Sequence, residues 1–487
     1  MKLPAPPLHS TATKIEMRTA QPAPAKEPFL PFDITPLSPS VTKTRSGASI
    51  ASFHGARAEG TSPSASTRRP HLVLVGLGYI REQDPRTTLG HASLLAAVRA
   101  AGDIDADSLD YAVNQADFRR EEVLRDVRSR LRGASSMVGI GAYIWNDAVV
   151  RWLIRELREG GFMGDIVLGG PQISYTESGL DELYPEATLF VRGYGETALV
   201  RLLHGEREFP GVQAAGRSAI AKPAQLDFAQ AKSPYLDGTL PPCDFVRWET
   251  QRGCPYSCSF CQHTEALMKL KLRAFARERL DAEMRLFVEQ GVKKITVLDP
   301  LFNLDREHCT WVLHRLGELG YRGSLSLQCR FEQVTAEFVE ACTRLDVSLE
   351  FGLQTIHAAE MEAVGRNNKL ECVERAIAML LAADVPFEVS LIYGLPAQTV
   401  ASFRQSIDWC FDRHVPSVRA FPLMLLRGTG LDVSRERWSL EESGDAIPLV
   451  VSSSTFNRED WREMRRIADA LPSRVASELV SIAGAAA

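Results

Sequence analysis

Short apolar runs alternate with amphipathic segments through most of this chain, from His71 to about residue 430. The first run, HLVLVGLGYI, is followed by LGHASLLAAVRAAG, which has helical spacing and ends at a glycine. Strands that are apolar at consecutive positions and are each followed by a helix indicate parallel sheets with helices on both faces. A chain of 487 residues is also longer than one hydrophobic core usually supports. The pattern therefore predicts an α/β protein with more than one domain.

Two series of strand and helix units can be distinguished. Residues 71–206 contain five of each, which predicts a flavodoxin-like, doubly wound domain. Residues 207–243 carry prolines without sustained periodicity and are interpreted as a connector. Residues 244–430 contain six strand candidates separated by amphipathic helices, which predicts a partial (β/α)6 barrel of TIM type. Residues 431–487 are predicted to form a helical C-terminal segment.

The composition of the chain argues against some classes of protein. Residues 1–70 hold 11 of the 27 prolines and are rich in Ser, Thr and Ala, so we predict a disordered tail with only weak likeness to a transit peptide. The rest of the chain has a net charge of -10, which disfavours nucleic acid as a partner. No apolar run approaches the roughly 20 residues of a membrane helix. We therefore expect a cytoplasmic protein with no membrane partner.

Three of the nine cysteines lie within eight positions, in the sequence RGCPYSCSFCQ. Cys254, Cys258 and Cys261 have the spacing C-x3-C-x2-C and follow the first predicted strand of the barrel, where loops gather at the mouth. A closed zinc site would need a fourth ligand, for which His263 is the candidate. Three thiolates on a cubane of four irons instead leave one iron open to a substrate. We interpret the motif as a site for such a 4Fe-4S cluster.

This motif resembles the signature of the radical S-adenosylmethionine (SAM) superfamily. The resemblance implies reductive cleavage of SAM by an electron from the cluster, and it places the aromatic residue before the last cysteine beside adenine. The ends of later strands, TVLDPLFNLD, LQCRFE, LEFGLQT and VSLIYGLPAQT, are similar to the segments that bind SAM in that superfamily. The implied SAM-binding residues are Phe260, Asp299, Asn303, Gln328, Arg330, Glu350, Gln354, Ser390 and Tyr393.

A flavodoxin-like domain before such a barrel resembles the cobalamin-binding branch of the superfamily. VLGGPQIS and VRGYGETALVRLL are similar to its glycine pair and its GEGE segment. The loop after the first strand lacks the Asp-x-His-x-x-Gly motif that supplies a histidine to cobalt, and His91 is a poor substitute because it lies near a helix start. The resemblance thus implies either cobalamin without a protein histidine or a domain that has lost the cofactor. The implied cobalamin-binding residues are Gly139, Gly141, Gly169, Gly170 and Glu196.

The predicted function is that of a transferase that modifies a small molecule in a biosynthetic pathway by cobalamin-dependent methyl transfer. One alternative is cobalamin-independent transfer of the 3-amino-3-carboxypropyl group of SAM to a soft nucleophile, with Cys243 and Cys329 as candidate thiols at the mouth. Another is a sensor that binds the cluster or cobalamin. Modification of RNA is disfavoured by the acidic charge. The resemblance to radical SAM enzymes also implies an electron donor such as flavodoxin or ferredoxin that reduces the cluster.

Overall fold

The computed structural model describes residues 69–81, 84–85, 87–217, 222–263, 272–445 and 447–471. Apart from its last two residues, the tail predicted to be disordered lies outside these ranges, as does the end of the predicted C-terminal segment beyond residue 471. None of the helices in the described ranges has the length and apolar character that crossing a membrane requires.

The first domain is built on a six-stranded sheet with the order β2-β1-β3-β4-β5-β6. Its strands are β1 His71–Gly78, β2 Asp105–Ala112, β3 Ser136–Gly141, β4 Asp165–Gly169, β5 Leu189–Val191 and β6 Val212–Ala214. The first five strands are parallel, as predicted, and β6 adds an antiparallel edge from residues assigned to the connector. The order of the parallel strands is that of flavodoxin-like folds, with the switch in direction between β1 and β3.

Helices cover both faces of this sheet. They are α1 Leu89–Ala101, α2 Arg120–Arg130, α3 Asp147–Glu159, α4 Pro171–Ser174, α5 Leu180–Leu183 and α6 Gly195–Leu203. Val73 and Val75 pack in one core cluster with residues of α2 and α3, whereas Leu72 and Leu74 pack in another with residues of α1 and α6. Burial of both faces explains why every residue of β1 is buried and why the strand shows no polar alternation.

The second domain contains six parallel strands in the order β14-β13-β12-β11-β10-β7. In chain order the strands are β7 Phe245–Trp248, β8 Gln251–Arg252, β9 Arg273–Ala274, β10 Lys294–Val297, β11 Ser324–Cys329, β12 Asp346–Gln354, β13 Phe387–Tyr393 and β14 Val418–Pro422. The short strands β8 and β9 form a separate antiparallel pair. The six predicted strands are therefore present, and β7 and β14 form the two edges of a partial barrel.

The helices of the barrel are α7 Arg277–Glu289, α8 Arg306–Glu318, α9 Ala336–Cys342, α10 Ala358–Ala363, α11 Leu370–Ala382 and α12 Val400–Asp412. Along β12, buried residues alternate with half-exposed ones. The buried set packs with the apolar residues of the helices, and the half-exposed set lines the lumen. The C-terminal part consists of α13 Gly430–Val433, a hairpin of β15 Glu441–Glu442 and β16 Val450–Ser452, and α14 Arg458–Asp469.

Ion pairs join the first domain to the barrel. Their carboxylates lie after β1, after β3 and after β5, at the carboxyl edge of the first sheet, where doubly wound folds bind ligands. The pairs are Asp84–Arg247 at 2.5 Å, Asp147–Arg427 at 3.3 Å and Glu196–Arg252 at 2.7 Å. Because Arg252 and Arg427 follow β7 and β14, the carboxyl edge of the first sheet meets the mouth of the barrel.

The chain after β14 passes between the two domains, and we call residues 426–431 the strap. Gly428 has a φ of 69° and would place a Cβ atom 1.7 Å from the carbonyl oxygen of Tyr175 in the first domain. On the barrel side, the carbonyl oxygen of Arg427 accepts a hydrogen bond from Gln262 at 2.9 Å, and the Leu431 amide donates to the carbonyl of Ser259 at 2.7 Å. The strap therefore needs glycine at position 428.

We predict that Gly428→Ala will destabilise the protein more than Gly291→Ala does. Gly291 has a nearly identical φ of 67° and open space where a Cβ would lie, so its substitution should show only the backbone strain, about 1 kcal/mol. At Gly428 the added methyl group must also move the strap away from Tyr175. Thermal denaturation of both variants measures the difference, and equal losses in melting temperature would contradict this role of the strap.

Candidate functional site

The three motif cysteines lie in one loop at the mouth of the barrel, residues 253–263, which we call the cysteine loop. Cys258 is buried, while Cys254 and Cys261 are half-buried. Within the described ranges, no three His, Cys, Asp or Glu side chains are close enough to hold a single metal ion. The sulfur ligands of a polynuclear cluster bind different irons and lie farther apart than the ligands of one ion. The cysteine loop thus places the three candidate cluster ligands, together with His263, at the mouth of the barrel.

Backbone contacts fix the cysteine loop on two sides. The amide of Ser259 donates to the carbonyl of Val364 at 2.9 Å, after α10, and the carbonyl of Ser259 accepts from Leu431 in the strap at 2.7 Å. The amide of Cys261 donates to the carbonyl of Cys258 at 3.1 Å, which closes a turn between two of the cysteines. The loop is therefore held by hydrogen bonds that do not involve the thiols.

Burial makes the thiols of Cys254 and Cys261 difficult to ionise without a bound cation. Burial raises the pKa of Cys254, and it raises the pKa of Cys261 to about 11. The neighbouring thiol of Cys258 raises both pKa values further, because adjacent thiolates repel each other. Coordination to iron removes this penalty, since a coordinated thiol is deprotonated.

Arg366 is a functional candidate that sequence analysis missed. Its Nη1 lies 3.8 Å from Sγ of Cys258, and its Nε donates to Oδ1 of Asn368 at 3.1 Å. Burial lowers the pKa of Arg366, and it forms no salt bridge with any described residue. An arginine in a polar loop carries no distinctive signal, and only the fold brings residue 366 to the cysteine loop.

Arg330, predicted to bind SAM, already has a counter-ion. Its Nε lies 2.9 Å from Oε2 of Glu332, and its guanidinium lies 3.8 Å from the centre of the Tyr256 ring in the cysteine loop. Its Nη2 also donates to the carbonyl of Asn367 at 2.9 Å. Arg330 therefore supports the cysteine loop, and Arg366 is the cation beside it without an ion-pair partner in the described ranges.

Asp299 and Asn303 are completely buried behind the mouth. Oδ1 of Asp299 accepts hydrogen bonds from the amides of Thr250 at 2.8 Å and Gln251 at 3.2 Å, and burial raises the pKa of Asp299 to about 7. Asn303 exchanges two hydrogen bonds of 2.9 Å with the backbone of Arg330. Both side chains thus hold strand ends in place, and their polar atoms already have protein partners.

Four other predicted SAM-binding residues lie on the third to fifth strands of the barrel. In the strand register Gln328 is opposite Glu350, and Ser390 donates to Oε1 of Glu350 at 3.2 Å. Burial raises the pKa of Glu350, and the neighbouring carboxylate of Glu388 raises it further. Gln354 ends β12 in a left-handed conformation, with a φ of 71°. These residues form a polar stretch of the lumen that leads to the mouth.

Tyr393 and the two cysteines that were predicted to lie near the mouth have other surroundings in the structure. Tyr393 packs against Phe403 and Trp461 in the outer helical layer, with ring centres 5.8 and 5.9 Å away, so its side chain is directed away from the lumen. Cys329 is buried in the hydrophobic core, and Cys243 is exposed before β7, at the opposite end of the strand from the mouth. The prediction that these two thiols flank the mouth is therefore wrong. Strand alternation and the direction of β7 explain the error.

Phe260 is half-buried and packs against the main core of the barrel. Its neighbour in sequence, Cys261, lies in the same turn of the cysteine loop. An aromatic side chain at this position is available to line one wall of a ligand site at the mouth.

The predicted cobalamin-binding residues fall into two groups. Gly141 and Gly170 lie at the carboxyl edge of the first sheet, and Gly170, with a φ of 89°, would place a Cβ 2.7 Å from the carbonyl oxygen of Ala142. Gly169 lies at the same edge and has no neighbour within 3.7 Å of an added Cβ. Gly139 instead lies inside the sheet under Leu74, where a Cβ would be 3.2 Å from a methyl group. Gly139 is thus a packing residue.

Glu196 connects the two domains through its ion pair with Arg252, the residue before Gly253 of the cysteine loop. Arg252 also pairs with Glu249 at 2.8 Å. Burial favours the neutral form of Arg252, but the two carboxylates outweigh it and raise its pKa. His91 lies in the first turn of α1, where it is buried and its Nε2 forms a hydrogen bond with Ser108 at 2.8 Å.

Comparison with known proteins identifies the barrel. Residues 248–410 match the family model of the radical SAM superfamily. The chain is 26% identical over 451 residues to 2-(S-pantetheinyl)-carbapenam-3-carboxylate methyltransferase of Streptantibioticus cattleyicolor, covering 80% of this chain and 61% of the relative. It is 28% identical over 374 residues to the cobalamin-dependent radical SAM methyltransferase TokK of Streptomyces tokunonensis, covering 67% and 55%. The chain thus spans less than two thirds of these relatives.

Solved structures share the arrangement of both domains. The radical SAM methyltransferase TsrM of Kitasatospora setae superposes with a TM-score of 0.62 at 17% identity, covering 81% of this chain and 85% of that one. The cobalamin-dependent radical enzyme OxsB superposes with a TM-score of 0.61 at 14% identity, covering 82% and 66%. These likenesses establish the fold. The barrel matches the radical SAM superfamily over residues 248–410, and the chain is similar in sequence to the cobalamin-dependent radical SAM methyltransferase named above.

Proposed function

We propose that this protein is a cobalamin-dependent radical SAM methyltransferase that acts on a small molecule. The observation that carries the proposal is the meeting of the cysteine loop with the carboxyl edge of the first sheet, through the Glu196–Arg252 ion pair. Two methyltransferases align with this chain over 451 and 374 residues, which is more than the barrel alone. Their similarity supports methyl transfer as the activity of this protein.

Cys254, Cys258 and Cys261 would hold a 4Fe-4S cluster. When bound, such a cluster supplies the electron for reductive cleavage of SAM. The protein contributes a fixed loop, and Arg366 places a positive charge 3.8 Å from Sγ of Cys258. Arg330, stacked on Tyr256, limits the freedom of the same loop.

Residues around the mouth would bind SAM. Arg366 is placed to take the carboxylate of its methionine part, because an arginine binds carboxylates strongly when no internal counter-ion competes. Phe260 offers an apolar surface for adenine, and Gln354 and Gln328 offer amide groups for hydrogen bonds. Asp299 and Asn303 act indirectly, because their polar atoms hold Thr250, Gln251 and the backbone of Arg330.

The carboxyl edge of the first sheet fits a large planar cofactor. Glycines at positions 141, 169 and 170 remove side chains there, and Tyr143 and Trp145 form a stacked pair with ring centres 4.6 Å apart. When bound, cobalamin supplies a carrier for the methyl group. Since His91 is buried against Ser108, we propose that it does not coordinate cobalt.

The substrate is proposed to be a small molecule, because the sequence from His71 onward has a net charge of -10 and therefore lacks the basic field that captures RNA. An electron donor such as flavodoxin or ferredoxin is proposed to reduce the cluster. Transfer of the 3-amino-3-carboxypropyl group loses its structural support, since Cys243 lies at the opposite end of β7 from the mouth and the side chain of Cys329 is buried in the hydrophobic core.

We predict that Cys258→Ala abolishes cluster assembly, because the remaining two motif thiols cannot hold a cubane in place. Cys372→Ala is the matched control, since Cys372 is half-buried on α11 outside the cysteine loop. After anaerobic reconstitution, iron and sulfide analysis and absorption spectra should show a cluster in the control and none in Cys258→Ala. A normal cluster content in Cys258→Ala would contradict the assignment.

We further predict which products SAM gives with reductant and substrate. Methyl transfer should release S-adenosylhomocysteine and 5'-deoxyadenosine, and production of both should require added cobalamin. Mass spectrometry of the nucleosides measures this. Methylthioadenosine as the main product would instead indicate aminocarboxypropyl transfer, and intact SAM in a protein with a full cluster would indicate the sensor.

A further inference from the structure

A buried network of three side chains attaches the segment before the cysteine loop to the barrel. This segment, residues 250–252, is called the stem. Thr250 and Asp299 are completely buried, and His308 is 5% exposed. Oδ1 of Asp299 accepts from the amides of Thr250 at 2.8 Å and Gln251 at 3.2 Å, while its Oδ2 forms a hydrogen bond with the hydroxyl of Thr250. That hydroxyl also forms a hydrogen bond with Nε2 of His308 at 2.8 Å.

The hydroxyl of Thr250 has a single proton, which allows two arrangements of this network. If Asp299 is ionised, the hydroxyl donates to the carboxylate, and Nε2 of His308 must carry a proton and donate to the hydroxyl. If Asp299 is protonated on Oδ2, it donates to the hydroxyl, the hydroxyl donates to Nε2, and the ring proton lies on Nδ1. In both arrangements Oδ1 accepts from the two stem amides. One added proton thus reverses both hydrogen bonds and leaves every polar atom of the carboxyl group with a partner.

The two arrangements differ in the charge that the protein buries. Burial raises the pKa of Asp299 to about 7, although the hydrogen bonds from Thr250 and Gln251 lower it. The charged group that faces Asp299 is Glu249, whose carboxylate raises this pKa further and is itself paired with Arg252 at 2.8 Å. An ionised Asp299 therefore remains without a cation, and its burial costs free energy that the neutral form avoids.

The imidazole of His308 is suited to follow the carboxyl group. Burial lowers the pKa of His308, Asp305 at the start of α8 raises it, and Arg277 of α7 lowers it. The ring is therefore neutral at pH 7 and carries one proton, which either nitrogen can hold. Its tautomer then reports which arrangement the network has adopted.

We propose that Thr250 and His308 are positioning residues that form, together with Asp299, a proton-responsive latch on the stem of the cysteine loop. The latch holds the stem more firmly when the carboxyl group carries a proton than when it is ionised. Its hydrogen bonds do not depend on the proposed function, whereas its consequence for a cluster held by the cysteine loop rests on that function.

The direction of the pH dependence follows from linkage. Opening of the stem would hydrate Asp299 and return its pKa toward 3.8, so the closed stem binds the proton more tightly. The stability that this gives the closed stem is complete below about pH 4 and is lost as the pH rises through about 7. His308 has a lowered pKa in the fold, so its opposite contribution is confined to pH values below 6.5. The range above pH 6.5 therefore isolates Asp299.

The first measurement is the tautomer of His308, read from the ¹⁵N shifts of the histidine-labelled full-length protein before cluster reconstitution. His308→Gln identifies the signals. We expect the proton on Nε2 at about pH 8.5 and on Nδ1 at about pH 6.5 in the wild type. Asp299→Asn should show the Nδ1 form at both pH values, because its amide donates to the hydroxyl of Thr250. One unchanging tautomer in the wild type would contradict the latch, as would a doubly protonated ring at about pH 6.5.

The second measurement is the rate at which the reconstituted protein loses iron to a ferrous chelator without oxygen. Wild-type loss should accelerate about 10-fold between about pH 7 and about pH 8.5, whereas loss from Asp299→Asn should not accelerate. Protonation of thiolate ligands acts in the opposite sense, since it releases iron at low pH. Asp346→Asn is the matched control, because Asp346 is exposed at the start of β12, away from the mouth, and it should show the wild-type profile.

A second pair of variants tests the hydroxyl itself. Thr250→Ser keeps the hydroxyl and should behave as the wild type, whereas Thr250→Val should make the tautomer of His308 insensitive to pH. This pair decides the question if Asp299→Asn does not fold. Equal iron loss from the wild type and Asp299→Asn at every pH would overturn the positioning role. If the wild type assembles no cluster, the proposed function fails, and the tautomer measurement still supports or overturns the latch.

Discussion

The parallel direction of the strands is the constraint on which the rest of this structure depends. Because all six barrel strands run the same way, the loops after β7, β12, β13 and β14 collect at one mouth. The same rule applied to the first sheet places the loops after β1, β3 and β5 at one edge. Ion pairs then join that edge to the mouth, at Asp84, Asp147 and Glu196. The carboxyl edges of the two sheets therefore face each other across one interface.

Arginine side chains form many of the contacts that hold this interface together. Arg252 is neutralised by Glu196 and Glu249, and Arg330 by Glu332, so both can serve as fixed supports for the cysteine loop. Arg366 differs, because it forms no salt bridge with a described residue. Burying a charge costs free energy unless an oppositely charged partner compensates for the lost hydration. The distinction between paired and unpaired arginines therefore separates structural groups from ligand-binding candidates.

The sequence predicted the scaffold well and the individual contacts poorly. Apolar runs such as HLVLVGLGYI predicted the parallel strands, and the spacing of Cys254, Cys258 and Cys261 predicted the family that the barrel matches. By contrast, Tyr393, which was predicted to bind SAM, packs in the outer helical layer. Asp299 and Asn303 were assigned to SAM, although they bind neighbouring backbone. Strand ends can be located from periodicity, but which polar atoms remain unpaired depends on packing between distant segments, and for this reason Arg366 was missed.

The account depends most directly on an iron at the mouth that lacks a protein ligand and is open to SAM. Electron paramagnetic resonance of the anaerobically reconstituted, dithionite-reduced protein tests this, with and without SAM. The account predicts the signal of a reduced 4Fe-4S cluster whose g-values shift when SAM is added, because SAM coordinates the open iron. A cluster signal that SAM leaves unchanged would contradict it, as would stoichiometric zinc in the isolated protein.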